Sequence, residues 1–223
     1  MSQSLKDLYI MGTGGFAREI AWLVEDINRH APSWNLRGYI DEMRLDAVGQ
    51  LFYGYPLLGG YKYLETASPG SIVIAIGNGK IRKKIVEELA GKYPFATLIH
   101  PTVLQSSTVV FGDGCMICAG NIFTTDVHVG KHVIVNLTCT VGHGAILNDY
   151  CTVLPGTNLS GEVKIGECST IGTGCAIIEN VVIGNHTMIG AGAVVVKDIP
   201  PHCTAVGCPA KPIKTSEASH GNT

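Results

Sequence analysis

The sequence predicts an α/β unit over residues 1–97 followed by an all-β solenoid over residues 98–214, and three observations support this division. From residue 111 to 195 one register of six never breaks, and every sixth residue is apolar: Phe111, Ile117, Phe123, Val129, Val135, Val141, Leu147, Val153, Leu159, Ile165, Ile171, Ile177, Ile183, Ile189 and Val195. Glycine often follows that residue, as at Gly112, Gly130 and Gly142, and a small side chain usually stands four after it, as at Cys115, Cys139 and Ala145. Before His100-Pro101 the register is absent, and short apolar runs alternate with glycine turns and helical spacing.

In chain order, residues 8–11 read as a short buried strand and Gly12-Thr13-Gly14-Gly15 as a turn. Residues 16–29 then place Ile20, Leu23, Val24 and Ile27 at helical spacing. Residues 36–40 form a second strand ending in Asp41-Glu42, and residues 71–76 a third, followed by Gly77-Asn78-Gly79. A helix runs from Lys80 to about Ala90 with Ile81, Ile85 and Leu89 on one face. This β-α-β…β-α order predicts a small parallel sheet of Rossmann type, in which ligands bind at the carboxyl ends of the strands. The turns at 12–16, 41–42 and 77–79 all fall there. Gly12-x-Gly14-x-x-Ala17 meets the phosphate-binding spacing, where backbone N–H groups and a helix N-terminus hold an anion; a tight strand-to-helix turn is the local alternative. Asp41 is placed to accept hydrogen bonds from a base or ribose, or to stand as a solvated turn acid.

The six-residue period predicts a parallel β-helix. Side chains alternate along a strand, so two residues of each hexapeptide point inward, as Ala193 and Val195 do around Val194. The next residues turn a corner, three strands close a triangular coil of eighteen residues, and stacked coils pile their aliphatic side chains into one core. The period does not fix handedness. Cys115, Cys139, Cys151 and Cys175 take the small inward position, where a reduced thiol packs as a small hydrophobe. Cys115 and Cys118 form a lone CxxC without a second pair, a weak zinc signal. Eight cysteines with no visible targeting segment in MSQSLKDLYIMG point to a reducing cytoplasm. A net charge of −2 without a basic cluster argues against nucleic acid, and no apolar stretch has membrane-spanning length. Only 15% of residues are charged, which fits a solenoid that hides part of its flank in an oligomer. The small polar tail 215–223 is expected to be disordered.

Together these motifs resemble the sugar acyltransferases of the PglD/NeuD type. The resemblance rests on residues 12–19 (GTGGFARE), Tyr39-Ile40-Asp41-Glu42, Ala75-Ile76-Gly77-Asn78 with Ile81-Arg82, and His100-Pro101-Thr102. It continues through Thr140-Val141-Gly142-His143, Leu154-Pro155-Gly156, Ile189-Gly190-Ala191-Gly192 and Gly207-Cys208-Pro209-Ala210-Lys211. It implies a Rossmann-like nucleotide-sugar-binding domain joined to a left-handed β-helix that binds acetyl-CoA, in a cytoplasmic homotrimer without a metal. The activity implied is acetyl transfer to the amine of a UDP- or GDP-linked amino-dideoxy sugar. Sugar O-acetylation of the sialic acid type is the nearest alternative, and a non-catalytic nucleotide-sugar-binding protein is a different class. A γ-type carbonic anhydrase, with zinc on three histidines to which His128 and His132 would contribute, leaves the N-terminal domain without a role.

His143 matches the family's catalytic histidine, and the register gives the position independent meaning: two residues after Val141, it stands at a corner rather than in the core. His128, His132 and His186 are assigned to outward strand positions. An imidazole is suited to take a proton from a hydroxyl or amine attacking a thioester, and the activated thioester requires no protein nucleophile. Family members commonly place Asp or Glu directly after the histidine, but here Gly144 follows it; an orienting carboxylate is then expected elsewhere, with Asp126 and Asp149 as candidates. A second family histidine on the acetyl-CoA side corresponds to Thr152. By the same resemblance Thr173 and Ala191 contact acetyl-CoA, and Phe16, Ala17, Arg18, Asp41, Glu42 and Gly77 contact the nucleotide sugar.

Overall fold

Residues 4–89 and 91–215 are described in a computed structural model of the chain. The alternation in Leu8-Tyr9-Ile10-Met11 sets up the N-terminal domain. These residues lie in β1 (Lys6–Met11), with Leu8 and Ile10 packing on one face against Ala17, Ile20 and Val24 of α1 (Gly15–His30). Tyr9 and Met11 pack on the other face against Ile85, Val86 and Leu89 of a later helix. The chain continues through β2 (Trp34–Ile40), a 3₁₀ turn (Glu42–Ala47), β3 (Leu51–Phe52), β4 (Tyr55–Gly59), α2 (Tyr61–Thr66), β5 (Ser71–Ile74) and α3 (Gly79–Leu89). Ala90, where the sequence ends this helix, lies outside the described residues. The sheet order is β3-β4-β2-β1-β5, parallel except for the β3–β4 hairpin. That hairpin and α2 add to the elements expected from sequence. Its turn, Tyr53-Gly54, has positive φ at both residues (45° and 79°), the geometry that matches strand twist in a two-residue loop.

From Leu98–Ile99 onward the chain winds as a left-handed β-helix of two-residue strands, each paired in parallel with the strand eighteen residues away. A first face stacks Leu98–Ile99, Met116–Ile117, Ile134–Val135, Thr152–Val153, Thr170–Ile171 and Met188–Ile189. A second runs from Leu104–Gln105 through Thr140–Val141 to Val194–Val195, and a third from Val110–Phe111 through Ile146–Leu147 to Val182–Ile183. The register residues from Ile117 to Val195 share one buried core with Cys115, Cys139, Cys151 and Cys175, and Phe111 packs against its end. Burial pushes the Cys115 thiol up to about 12 and that of Cys139 to about 11. Cys118 points the other way, into the cluster beneath the N-terminal domain, so the two sulfurs of the CxxC serve different cores. The chain closes on the antiparallel pair Cys203–Gly207 and Ala210–Thr215. Thr215, first residue of the expected tail, belongs to this pair, and residues 216–223 lie outside the described residues.

Each corner of the solenoid from Gly114 to Gly192 places one residue in the left-handed region. Gly144, Gly156, Gly174 and Gly192 do so without a side-chain penalty, while Asp126, His132, Tyr150, Glu162 and His186 adopt it with φ between 53° and 60°. His132 and His186 therefore stand at corners, not at the outward strand positions assigned from sequence. Both follow Gly by two residues, so the turn has not yet ended where they occur. His132 is 3% exposed, stacked on Tyr150 and edge-on to Phe95. His128 does begin an exposed strand position, in His128–Val129.

The N-terminal domain covers the earlier coils of the first face. Met116, Cys118 and Ile134 of the solenoid join Leu8, Ile10 and Val24 in one apolar cluster, so a single core crosses the domain boundary. At the junction His100 Nδ1 accepts from the Thr102 backbone N–H at 3.1 Å, which leaves Nε2 to donate to Asp26 of α1 at 3.1 Å. No helix among the described residues is long and apolar enough to cross a membrane.

Candidate active site

The carboxyl ends of β1, β2 and β5 open into a cleft of about 680 Å³. Gly12, Gly14 and Gly15 form its floor, Phe16, Met43, Tyr61 and Ile81 supply apolar wall, and Asp41, Glu42, Lys84 and Glu88 line its rim. No side chain caps α1, whose N-cap is Gly14, so its first-turn N–H groups face the cleft. Gly12 takes φ of +99°, a conformation that strains any residue with a Cβ. Asp41 fixes the turn in place: its carboxylate accepts from the Thr13 hydroxyl at 2.7 Å and from Met43 N–H at 3.0 Å. Glu42 spans the cleft edge, accepting from the Tyr61 N–H at 2.8 Å, and a Cβ at Gly60 would collide with that carboxylate.

Of the six residues expected to contact a nucleotide sugar, Phe16, Asp41, Glu42 and Gly77 line this cleft. Ala17 is buried beneath it, leaving only its backbone N–H to offer. Arg18 turns away to a shallower cleft with Glu19, Trp22 and Tyr53. The sequence reading left out Thr13, which holds Asp41, and Lys84, a cation one helical turn past Lys80; the helical period of α3 places Lys84 on the same face as Ile81.

Arg82 connects the cleft to the solenoid. Its side chain is 0% exposed, and every hydrogen-bond partner is neutral. Nη1 donates to the carbonyls of Ile76 (2.5 Å) and Gly77 (3.2 Å) in the turn that lines the cleft. Nε donates to His132 O (2.8 Å), and Nη2 to Tyr150 O (2.6 Å), Cys151 O (3.1 Å) and Thr152 Oγ1 (3.1 Å). Burial draws this guanidinium down to about 10, and it stays charged at neutral pH. Beside it a Cβ on Gly79 would collide with Tyr150 O, so only glycine lets α3 approach so closely. Thr152 belongs to the same seam: its hydroxyl donates to Gly77 O at 2.8 Å and the residue is 2% exposed.

His143 occupies the corner between the second and third faces, its side chain 59% exposed. Thr173 and Ala191 are exposed and stack one coil apart at the corner between the first and second faces. Within one chain the second face therefore separates them from His143. Asp149 stands at a third corner, where it accepts from Lys131 N–H at 2.8 Å. The carboxylate that meets His143 is that of Glu162, with Oε1 3.8 Å from Nδ1. Neither candidate named from sequence, Asp126 or Asp149, makes this contact; Glu162 does because it sits one coil above Gly144.

Known proteins share this fold over nearly the whole chain. The family described as PglD N-terminal domain matches residues 7–89, and the bacterial transferase hexapeptide (six repeats) matches residues 162–197. GDP-perosamine N-acetyltransferase of Escherichia coli O157:H7 is 30% identical over 220 residues, covering 94% of this chain and 97% of that protein. The chain belongs to the PglD-type sugar acetyltransferases. The acetyltransferase domain of PglB from Neisseria gonorrhoeae, solved with acetyl coenzyme A, superposes with a TM-score of 0.84 at 31% identity, covering 94% of this chain and all of that one. A histidine-to-asparagine variant of perosamine N-acetyltransferase from Caulobacter crescentus, solved with CoA and GDP-perosamine, gives 0.84 at 28% identity over 96% of this chain and all of that one. In this acetyltransferase the features that sequence reasoning missed, Arg82 and Glu162, act across the fold: Arg82 appeared there only as a letter in a motif, and its partners in the solenoid lie 50 to 70 residues away.

Proposed function

We propose that this chain transfers the acetyl group of acetyl-CoA to the amine of a nucleoside-diphosphate-linked amino-dideoxy sugar, in a homotrimer whose sites lie between subunits. The observation that supports this reading is the pairing of a nucleotide-sized cleft with a corner imidazole, in a chain whose two domains are locked by one buried arginine. The diphosphate lies on the glycine turn and the α1 N-terminus, near Lys84. Asp41 and the apolar wall of Phe16, Met43 and Ile81 receive the nucleoside. His143 takes a proton from the sugar amine as the nitrogen attacks the thioester carbonyl. Collapse of the tetrahedral intermediate expels CoA as a thiolate, which is protonated to the free thiol, and the acetamido sugar remains. No acyl-enzyme is required, and the thiols of the β-helix core, inward and raised by burial, offer no nucleophile.

Threefold association also accounts for the apolar surface. Leu104 and Ile122 on the second face, with Val110 and Val182 on the third, are exposed on either side of the His143 corner. Neighbouring subunits packed on these faces bring Thr173 and Ala191 of one chain towards His143 of the next. The test is acetyl-CoA turnover, read as free thiol, against a panel of UDP- and GDP-linked amino sugars that includes GDP-perosamine. The expected product is an N-acetyl sugar, and His143→Ala should lower turnover by roughly 10²–10⁴ while the protein stays folded. No thiol release with any amine, or an O-acetyl product, would overturn the reading.

A further inference from the structure

Gly144 and Gly161 open complementary spaces on adjacent coils. A Cβ at Gly144 would collide with the Glu162 carboxylate, and a Cβ at Gly161 would collide with the His143 imidazole. His143-Gly144 and Gly161-Glu162 thus lock together across the coil-to-coil step, with Glu162 N–H donating to His143 O at 2.8 Å. The imidazole lies over Gly161, and the acid reaches the space a side chain at 144 would fill, 3.8 Å from Nδ1. Resting on the proposed role of His143 as base, we infer that Glu162 is the positioning residue for this imidazole. It holds the tautomer with the proton on Nδ1, so the Nε2 lone pair is free to accept the substrate's proton. The other titratable groups of the corner and the adjoining face are Asp126 one coil below His143, Glu179 two coils above it, Lys197 and Asp198 three coils above it, and His128 and Lys164 on the third face. At 3.8 Å the carboxylate stands beside Nδ1 but beyond hydrogen-bond length, and apo contacts of this kind commonly tighten only when substrate is bound.

Glu162→Ala removes the acid from a half-exposed side chain without touching the core. Its kcat with acetyl-CoA and the amino-sugar nucleotide should fall about 10- to 100-fold, by analogy with the cost of removing the carboxylate that orients a metal-bound histidine. KM for both substrates should stay within about threefold, since the acid acts on the base and not on binding. In ¹⁵N spectra of the neutral imidazole, His143 should move from the Nδ1–H to the Nε2–H tautomer. Gly144→Asp added to Glu162→Ala should restore most of the lost kcat, because the vacated space then receives a carboxylate from the histidine's own coil. Asp126 already adopts that corner's backbone conformation with φ of 57°. Glu162→Ala in a His143→Ala background should cost nothing more. Wild-type kcat and an unchanged tautomer in Glu162→Ala, with His143→Ala inactive, would overturn the role of Glu162 alone. Retained turnover in His143→Ala would overturn the base and this inference together.

Discussion

His132 shows how burial converts a single imidazole into a liability in acid. It lies between Tyr150 and Phe95 with Nδ1 buried and unpartnered, and burial, reinforced by the nearby Arg82, holds it down to about 4 against an ordinary 6.5. Between those values the unfolded chain binds a proton that the folded chain refuses. The stability contributed by keeping His132 neutral is thus complete above about pH 6.5 and is lost as pH falls towards 4. Thermal unfolding followed from pH 7 to 4.5 should show a falling Tm. His132→Asn, which tolerates the positive φ, should start lower but fall less steeply. The corner position of His143 is legible in the sequence because it depends only on counting from Val141. The partnership with Glu162 is not, since it joins residues nineteen apart through the height of one coil, and a reader looking for an acid inspects the next residue instead.

Among the elements, α3 has two roles. Ile81, Lys84, Ile85 and Glu88, with Gly77 before the helix, line the cleft at the strand ends, while Arg82 on another face enters the solenoid. Replacing Arg82 with Met leaves the carbonyls of Ile76, His132, Tyr150 and Cys151 buried without this donor, at an expected cost of about 3 kcal/mol or more. Urea unfolding should register that loss. Calorimetry with GDP should show weaker binding as the turn at Gly77 loosens; unchanged GDP affinity in a destabilised variant would confine Arg82 to domain docking. The β1-α1-β2 order and the solenoid register could be read from sequence because both are periodic. The β3–β4 hairpin escaped because Tyr53-Gly54 lacks the Asn-Gly or Asp-Gly signature, Tyr53 supplying a positive φ that is rare outside Gly, Asn and Asp. The seam escaped because its contacts obey no period.

In the whole molecule, two of the solenoid's three faces lack cover within the chain. The first carries the N-terminal domain over its earlier coils, and the second and third carry Leu104, Ile122, Val110 and Val182 in the open. Light scattering should give a particle of roughly 71 kDa, three copies of the 23.6 kDa chain. Charged substitutions at Leu104 and Ile122 together should release monomer and abolish turnover, whereas a fully active monomer would remove the need for a shared site. The eighteen-residue pairing also restricts how this chain can change in length. Six inserted residues would satisfy every local preference for a strand and a corner, yet would rotate all later residues by one face. Placed between Gly144 and Tyr150, such an insertion would carry Thr152 off Arg82 and Glu162 away from His143 while leaving the hydrophobic stack unbroken. Even a complete coil inserted there would separate His132 from Tyr150, which one guanidinium now joins. Additions compatible with both the seam and the site are therefore whole coils beyond Ala191, so the solenoid lengthens from its C-terminal end in steps of eighteen.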